Sequence, residues 1–234
     1  MVTSLENRAK NLRYERKFFI EHSDLHQVQS MIKRHRSMPK EIFYQRQINN
    51  LYFDTPNKQF YHENVNGDHD RMKVRIRWYG NMHHNVSNPV LEFKIKKGPV
   101  GYKESFILNG FKFDQHLNQR AMNALFKSND LPEMVQQKLK SIEPVLINSY
   151  QRKYYLSSCQ DVRITLDWHI QCTQFTPIKK YFVLKPLSQK AFVIELKYDS
   201  TKDNEIHRHF GDMPFTLTKS SKYVQALEQL YRHH

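Results

Sequence analysis

Several short stretches of this chain alternate apolar and polar residues with the two-residue period of a strand. In Arg71-Met-Lys-Val-Arg-Ile-Arg-Trp-Tyr79, Arg71, Lys73, Arg75 and Arg77 fall on one face, and Met72, Val74, Ile76 and Trp78 on the other. Leu91-Glu-Phe-Lys-Ile-Lys96 repeats the pattern, with Glu92, Lys94 and Lys96 opposite Leu91, Phe93 and Ile95. Alternation also predicts strands over 13–20, 48–54, 102–108, 148–156, 162–168, 181–185 and 192–198. Ser23 is positioned to cap a helix from Asp24 to about Arg36, with Leu25, Val28 and Ile32 on one face. Two helical stretches follow Asp114 and Leu131-Pro132, and Tyr223, Val224, Leu227, Leu230 and Tyr231 mark the apolar face of a last helix. Turns are expected at Thr55-Pro56-Asn57 and Lys97-Gly98-Pro99, with a polar hairpin loop from Gly80 to Pro89. The class is α+β, mainly antiparallel β, with a sheet expected to close. No linker or repeat divides the chain, so residues 1–234 are read as one domain, with 1–11 a flexible N-terminal segment.

Composition narrows the partners. Thirty-seven Lys and Arg against 23 Asp and Glu give a formal net charge of +14 among 234 residues. Such a balance favours polyanions: nucleic acid, an anionic membrane or phosphorylated small molecules. The only cysteines, Cys159 and Cys172, have no metal-type spacing, and the 13 His are scattered. No apolar run is long enough to span a bilayer, and the polar N-terminus is not a secretory signal. A cytoplasmic location follows as the expectation.

Taken one at a time, polar strand faces are ordinary solvated faces. Here they are dense in Arg and Lys, with single carboxylates among them: Arg13, Glu15 and Lys17; Arg163, Thr165 and Asp167; Glu195 and Lys197. Turned inward, they would need a polyanion as well as the internal carboxylates to balance them. Leu217-Thr-Lys-Ser-Ser-Lys-Tyr223 adds a second kind of site. Lys219, Ser220, Ser221 and Lys222 gather hydroxyl, ammonium and backbone N–H donors at the start of the last helix, where the dipole favours an anion.

Tyr14-Glu-Arg-Lys-Phe18, Leu51-Tyr-Phe-Asp-Thr-Pro56, Lys73-Val-Arg-Ile-Arg-Trp-Tyr79, Leu91-Glu-Phe-Lys94, Glu195-Leu-Lys197 and Ser220-Ser-Lys-Tyr223 occur in this order. Together they resemble the polyphosphate polymerase domain of the vacuolar transporter chaperone (VTC) type, one of the triphosphate tunnel metalloenzymes, over about Leu12 to Tyr231. The resemblance implies a closed barrel of about eight strands around a charged tunnel, with flanking helices. It also implies transfer of the terminal phosphate of ATP to a growing polyphosphate, leaving ADP.

The same resemblance assigns roles. Arg75 and Arg77 match residues that hold the triphosphate, and Lys17, Lys94 and Arg152 match further cations of the tunnel wall. Lys219 and Lys222 match a pair at the last helix, beside Ser221. Arg71, Lys73, Lys96, Lys103 and Lys197 complete the phosphate-binding candidates. Glu195 matches a carboxylate holding a divalent metal, Mn2+ or Mg2+, with Asp167, Glu92 and Glu15 as further ligand candidates. The wider superfamily carries Glu-x-Glu-x-Lys on its first strand; here the window is Arg13-Tyr-Glu15-Arg-Lys17, with arginine in the first position. That departure favours polyphosphate over hydrolysis of a small triphosphate, and it puts a second metal in doubt. Eukaryotic complexes of this type add transmembrane helices, so export across a membrane would call for a separate membrane partner and a peripheral position. The competing readings are a tripolyphosphatase or nucleoside triphosphatase of the same fold, and a noncatalytic polyphosphate-binding module. No specific nucleic acid is expected, because most of the 15 Phe and 13 Tyr lie on apolar faces, where they pack.

Overall fold

The computed structural model describes residues 13–21, 23–98, 100–114, 116–176, 183–187, 191–211, 215, 217–218 and 221–231. In chain order the elements are β1 (Arg13–Ile20), α1 (Leu25–Arg34), β2 (Lys40–Asp54), α2 (Gln59–Asn66), β3 (Asp70–Tyr79), β4 (His84–Val86), β5 (Val90–Lys97), β6 (Val100–Ile107) and β7 (Phe111–Phe113). Then come α3 (Gln119–Lys127), α4 (Glu133–Lys140), β8 (Glu143–Leu156), β9 (Arg163–Gln174), β10 (Lys185–Pro186), β11 (Phe192–Asp199), α5 (Asp203–Phe210) and α6 (Lys222–Tyr231). Among the described residues no helix is long and apolar enough to cross a membrane.

Strand pairing runs in the order β1-β11-β9-β8-β2-β3-β5-β6, with β10 beside β9 and a separate β4-β7 pair. The registers of β1 with β11, β11 with β9, β2 with β3, β3 with β5 and β5 with β6 are all antiparallel. The expected closure is not found. β1 and β6 end the series, and among the described residues they do not pair with each other. The outer edge of β1 is taken instead by a neighbouring segment. Phe18 bridges Leu217, and the Thr218 N–H donates to the Lys17 carbonyl at 2.8 Å. Alternation fixes which side chains share a face; closure depends on strand tilt and stagger, on which the pattern is silent.

The chain forms two compact units, each with its own core. The first comprises residues 1–46, 150–170 and 188–220. In it Phe18, Ile164, Leu166, Trp168, Ile194, Leu196 and Tyr198 from the strands pack with Val28 and Ile32 of α1 and Ile206 and Phe210 of α5. The second comprises residues 47–149, 171–187 and 221–234. There Leu51, Phe53, Val74, Ile76, Trp78, Leu91, Phe93 and Ile95 pack with Met122, Leu125 and Phe126 of α3 and Val135 and Leu139 of α4. In both, the strand residues that face the core are apolar and buried, and charged residues of the same strands fall together on the opposite face.

Several local expectations are revised. Asp24 rather than Ser23 caps α1, its carboxylate accepting the Gln27 N–H at 2.8 Å. The helix starts at Leu25, so residue 24 is the one placed to reach that donor. β2 begins at Lys40, eight residues before the expected start at Ile48. Residues 40–46 are mostly exposed, so no apolar face marks them. β4 lies within the expected 80–89 loop, and α2 and α5 are helices beyond those expected. Of the strand expected over 181–185, residues 181 and 182 lie outside the described residues, and the observed β10 is only Lys185–Pro186. The 1–11 segment also lies outside the described residues.

Candidate functional site

The second unit carries a cationic face. The register sets Lys73 of β3 opposite Lys94 of β5, and Lys94 opposite Lys103 of β6. Neighbouring strands lie about 4.8 Å apart, so the three lysines form a row roughly 10 Å long. Like charges directly opposed repel, and the adjacent rank contains the anion that relieves them. Arg75 is opposite Glu92. The buried Glu92 carboxylate takes Arg75 on Oε2 at 2.7 Å, and Lys103 at 3.0 Å and Arg77 at 3.6 Å on Oε1. Burial pushes this carboxyl up, but Arg75 and Lys103 outweigh it and hold it below the usual carboxylate range. Arg75 also donates to the Tyr52 hydroxyl at 3.3 Å, and Arg77 Nε to Asn50 Oδ1 at 3.3 Å. Asn50 in turn donates to Asn148 at 2.8 Å. Lys96 is half-buried on β5, and Lys94 is exposed.

The start of α6 belongs to the same unit. Ser221 accepts a hydrogen bond from Lys73 Nζ at 2.8 Å, and Lys222 opens the helix half-buried. Lys219 and Ser220 lie outside the described residues. Arg71 has a different neighbourhood from Arg75 and Arg77. It donates to the carbonyls of Gly67 and Asp68 at 3.3 and 2.7 Å, closing the C-terminal end of α2. Asp54 anchors the other end. It accepts the backbone N–H groups of Phe60 and Tyr61 at 2.9 and 3.0 Å, and the Tyr223 hydroxyl of α6. Tyr223 stacks on Tyr52 with centroids 5.0 Å apart. The Asp-Thr-Pro and Ser-Lys-Tyr motifs are thus joined, and their joint sets Ser221 beside Lys73.

The first unit carries a mixed face. Glu15 of β1 is opposite Lys197 of β11, and Lys17 is opposite Glu195. Each such pair of opposite charges contributes about 0.2–1 kcal/mol. Lys17 also lies 2.7 Å from Glu15, and Lys197 3.3 Å from Glu195. Arg152, buried on β8, grips Asp167 at 2.5 and 2.6 Å through two nitrogens, and lies 3.6 Å from Glu195. Burial pushes the Glu195 carboxyl up; Lys197, a hydrogen bond with Glu15, Lys17 and Arg152 outweigh it and hold it well below the usual range. The Arg13 side chain lies outside the described ones.

This face fits a hard divalent cation with few protein ligands. Glu15 and Glu195 bring two carboxyl groups to one face, where Lys17 and Lys197 already balance part of their charge, and both offer hard oxygen donors. Thr165 is opposite Glu195, and its buried hydroxyl has no hydrogen-bond partner among the described residues. Among the described residues no group of three or more His, Cys, Asp or Glu side chains is arranged to cage a metal. Mg2+ or Mn2+ would therefore take one or two carboxylates here and fill its remaining positions with water and phosphate oxygens. Asp167 is turned to Arg152, and Glu92 belongs to the second unit among three cations.

Tyr52, Asn50, Asn148 and Thr165 support these faces, and strand alternation alone does not mark them as site residues. A signal for Asn50 does exist: two asparagines interrupt the apolar run from Ile48 to Phe53, and both are fully buried. Buried amides of that kind need partners.

The fold is shared with a protein from Hippeastrum described as a putative adenylyl cyclase with a dominant triphosphatase activity (13% identity, TM-score 0.52, covering 92% of this chain and 96% of that one). It is shared also with the PH1819 protein of Pyrococcus horikoshii OT3 (14% identity, TM-score 0.51, covering 92% and 99%). No curated protein matches the chain. The family model of the VTC domain matches residues 12–231, and the chain belongs to that family.

Proposed function

We propose that this protein transfers the terminal phosphate of ATP to a growing polyphosphate chain, with a divalent cation as cofactor. Membership of the VTC domain family supports chemistry on polyphosphate or a triphosphate. The observation that carries the reading is the Lys73-Lys94-Lys103 row beside Arg75 and Arg77. A row crossing three strands offers charge to several phosphates in succession, where a single anion site would offer it to one. Arg75 and Arg77 supply paired N–H donors, and the lysines supply mobile point charges. Phosphoryl transfer asks little covalent chemistry of a protein; it needs donor and acceptor aligned and the charge on the transferred group neutralised. Glu195 and Glu15 would hold the cation, which when bound adds positive charge against phosphate oxygens.

Hydrolysis is the second reading, favoured by the triphosphatase activity described for the Hippeastrum protein. Arg13, standing where the wider superfamily places its first strand glutamate, weighs against it. Incubation of the purified protein with ATP and Mn2+, resolved by gel and phosphorus NMR, separates the two. Long-chain phosphate with ADP, lost in Lys94→Ala, is the expected result. Orthophosphate without polymer would establish hydrolysis instead.

A further inference from the structure

Glu92 is 4% exposed and lies beneath the cations on which the proposed reaction depends. Its Oε2 takes both Nε and a terminal nitrogen of Arg75 at 2.7 Å. Its Oε1 takes Lys103 and faces Arg77. The Arg75, Arg77 and Lys103 side chains are 21, 15 and 54% exposed, against 5% for Glu92. The cations therefore stand between this carboxylate and solvent. Phosphate oxygens approaching that face seek the same N–H donors that Glu92 already uses. A metal on Glu92 would have to displace three cations, and among the described residues no acidic cluster joins it.

We infer that Glu92 is an internal counter-anion, competing with phosphate for the donors of Arg75, Arg77 and Lys103 and so limiting how tightly the site holds its polyanion. The role rests on the phosphate-binding reading above. Without an anion, two guanidinium groups and the lysine row would repel one another in the empty protein. With one, the layer is held together when empty, and each phosphate is gained against a standing competitor. For a polymer that must move along its site, that ceiling on affinity favours release over stalling.

The test is binding of tripolyphosphate without divalent cation, measured by calorimetry on the wild type, Glu92→Gln and Glu133→Gln. Glu133→Gln makes the same change in net charge at an exposed position on α4. Glu92→Gln is expected to bind roughly tenfold tighter and to release more slowly, with Glu133→Gln within about twofold of wild type, as expected for a distant, screened charge. Equal or weaker binding by Glu92→Gln would show that the carboxylate orients the cations for the ligand, and would overturn the inference. Should that variant not fold, carbon NMR of the Glu92 carboxyl in the unaltered protein gives a second reading. Tripolyphosphate should shift its resonance and raise its pKa; an unmoved signal overturns the inference. Tighter binding by Glu92→Gln without polymer synthesis would sink the proposed reaction and leave the counter-anion standing.

Discussion

Glu195 and Glu92 are both buried carboxylates with cationic neighbours, yet their surroundings point to opposite uses. Glu92 is met by three cations and, among the described residues, by no second acid. Glu195 is met by Lys197, Lys17 and Arg152 and also by another carboxyl group, Glu15, with the Thr165 hydroxyl, which has no hydrogen-bond partner among the described residues, in the opposite position. Only the second arrangement sets two carboxyl groups together for a divalent ion to share. Glu195→Gln should therefore abolish Mn2+ binding and cation-dependent turnover, while tripolyphosphate affinity without metal stays within a few-fold of wild type. Titration of Mn2+ by electron paramagnetic resonance reads the first effect directly. Undiminished Mn2+ binding would remove Glu195 from the metal site.

The elements that set the phosphate-binding side chains in place are tied by one buried carboxylate. Asp54 ends β2, caps α2 from six and seven residues upstream, and accepts from Tyr223 of α6. Burial and the neighbouring carboxylate push the Tyr223 phenol far above its ordinary range, which keeps it a donor to Asp54 at neutral pH. Tyr223→Phe keeps the ring stacked on Tyr52 and removes only that donor. A buried acceptor left short of a partner costs about 1–3 kcal/mol, and denaturant unfolding should show a loss of that size. A loss below about 0.5 kcal/mol, within the range of an ordinary surface change, would mean that α6 is held by packing alone. The charged strand faces were legible in the sequence because a period of two sorts side chains whatever the strand pairs with. Arg75, Arg77, Lys94 and Glu195 could be read that way. Asp54 could not: its cap is completed by residues 169 positions apart, and a local capping rule looks only three or four residues ahead. The partners of Glu92 were equally hidden, because they depend on the register of three strands.

The same difference between local and distant information explains why the sheet was expected to close and does not: the bridge from Phe18 to Leu217 occupies an edge that no alternation pattern marks. What the whole chain does reveal is its charge. A protein at +14 holds its fold against self-repulsion, and each carboxylate lost to protonation adds to the strain. The Glu92 and Glu195 carboxyls are both held below their unfolded range. The stability they contribute is thus fully present above the unfolded value of about 4.3, and is lost as pH falls through the lower folded values, at about 1.4 kcal/mol for each unit of difference. Thermal unfolding between pH 7 and pH 3 should show a plateau down to about pH 5 and a steep fall below it. Tripolyphosphate, by binding the folded cationic face, should raise the melting temperature throughout. Glu92→Gln, with no proton to gain at that position, should flatten the acid limb while lowering the plateau. An acid limb unchanged in Glu92→Gln would mean that the carboxylate contributes no net stability in the folded protein, and that the cations around it are balanced by solvent.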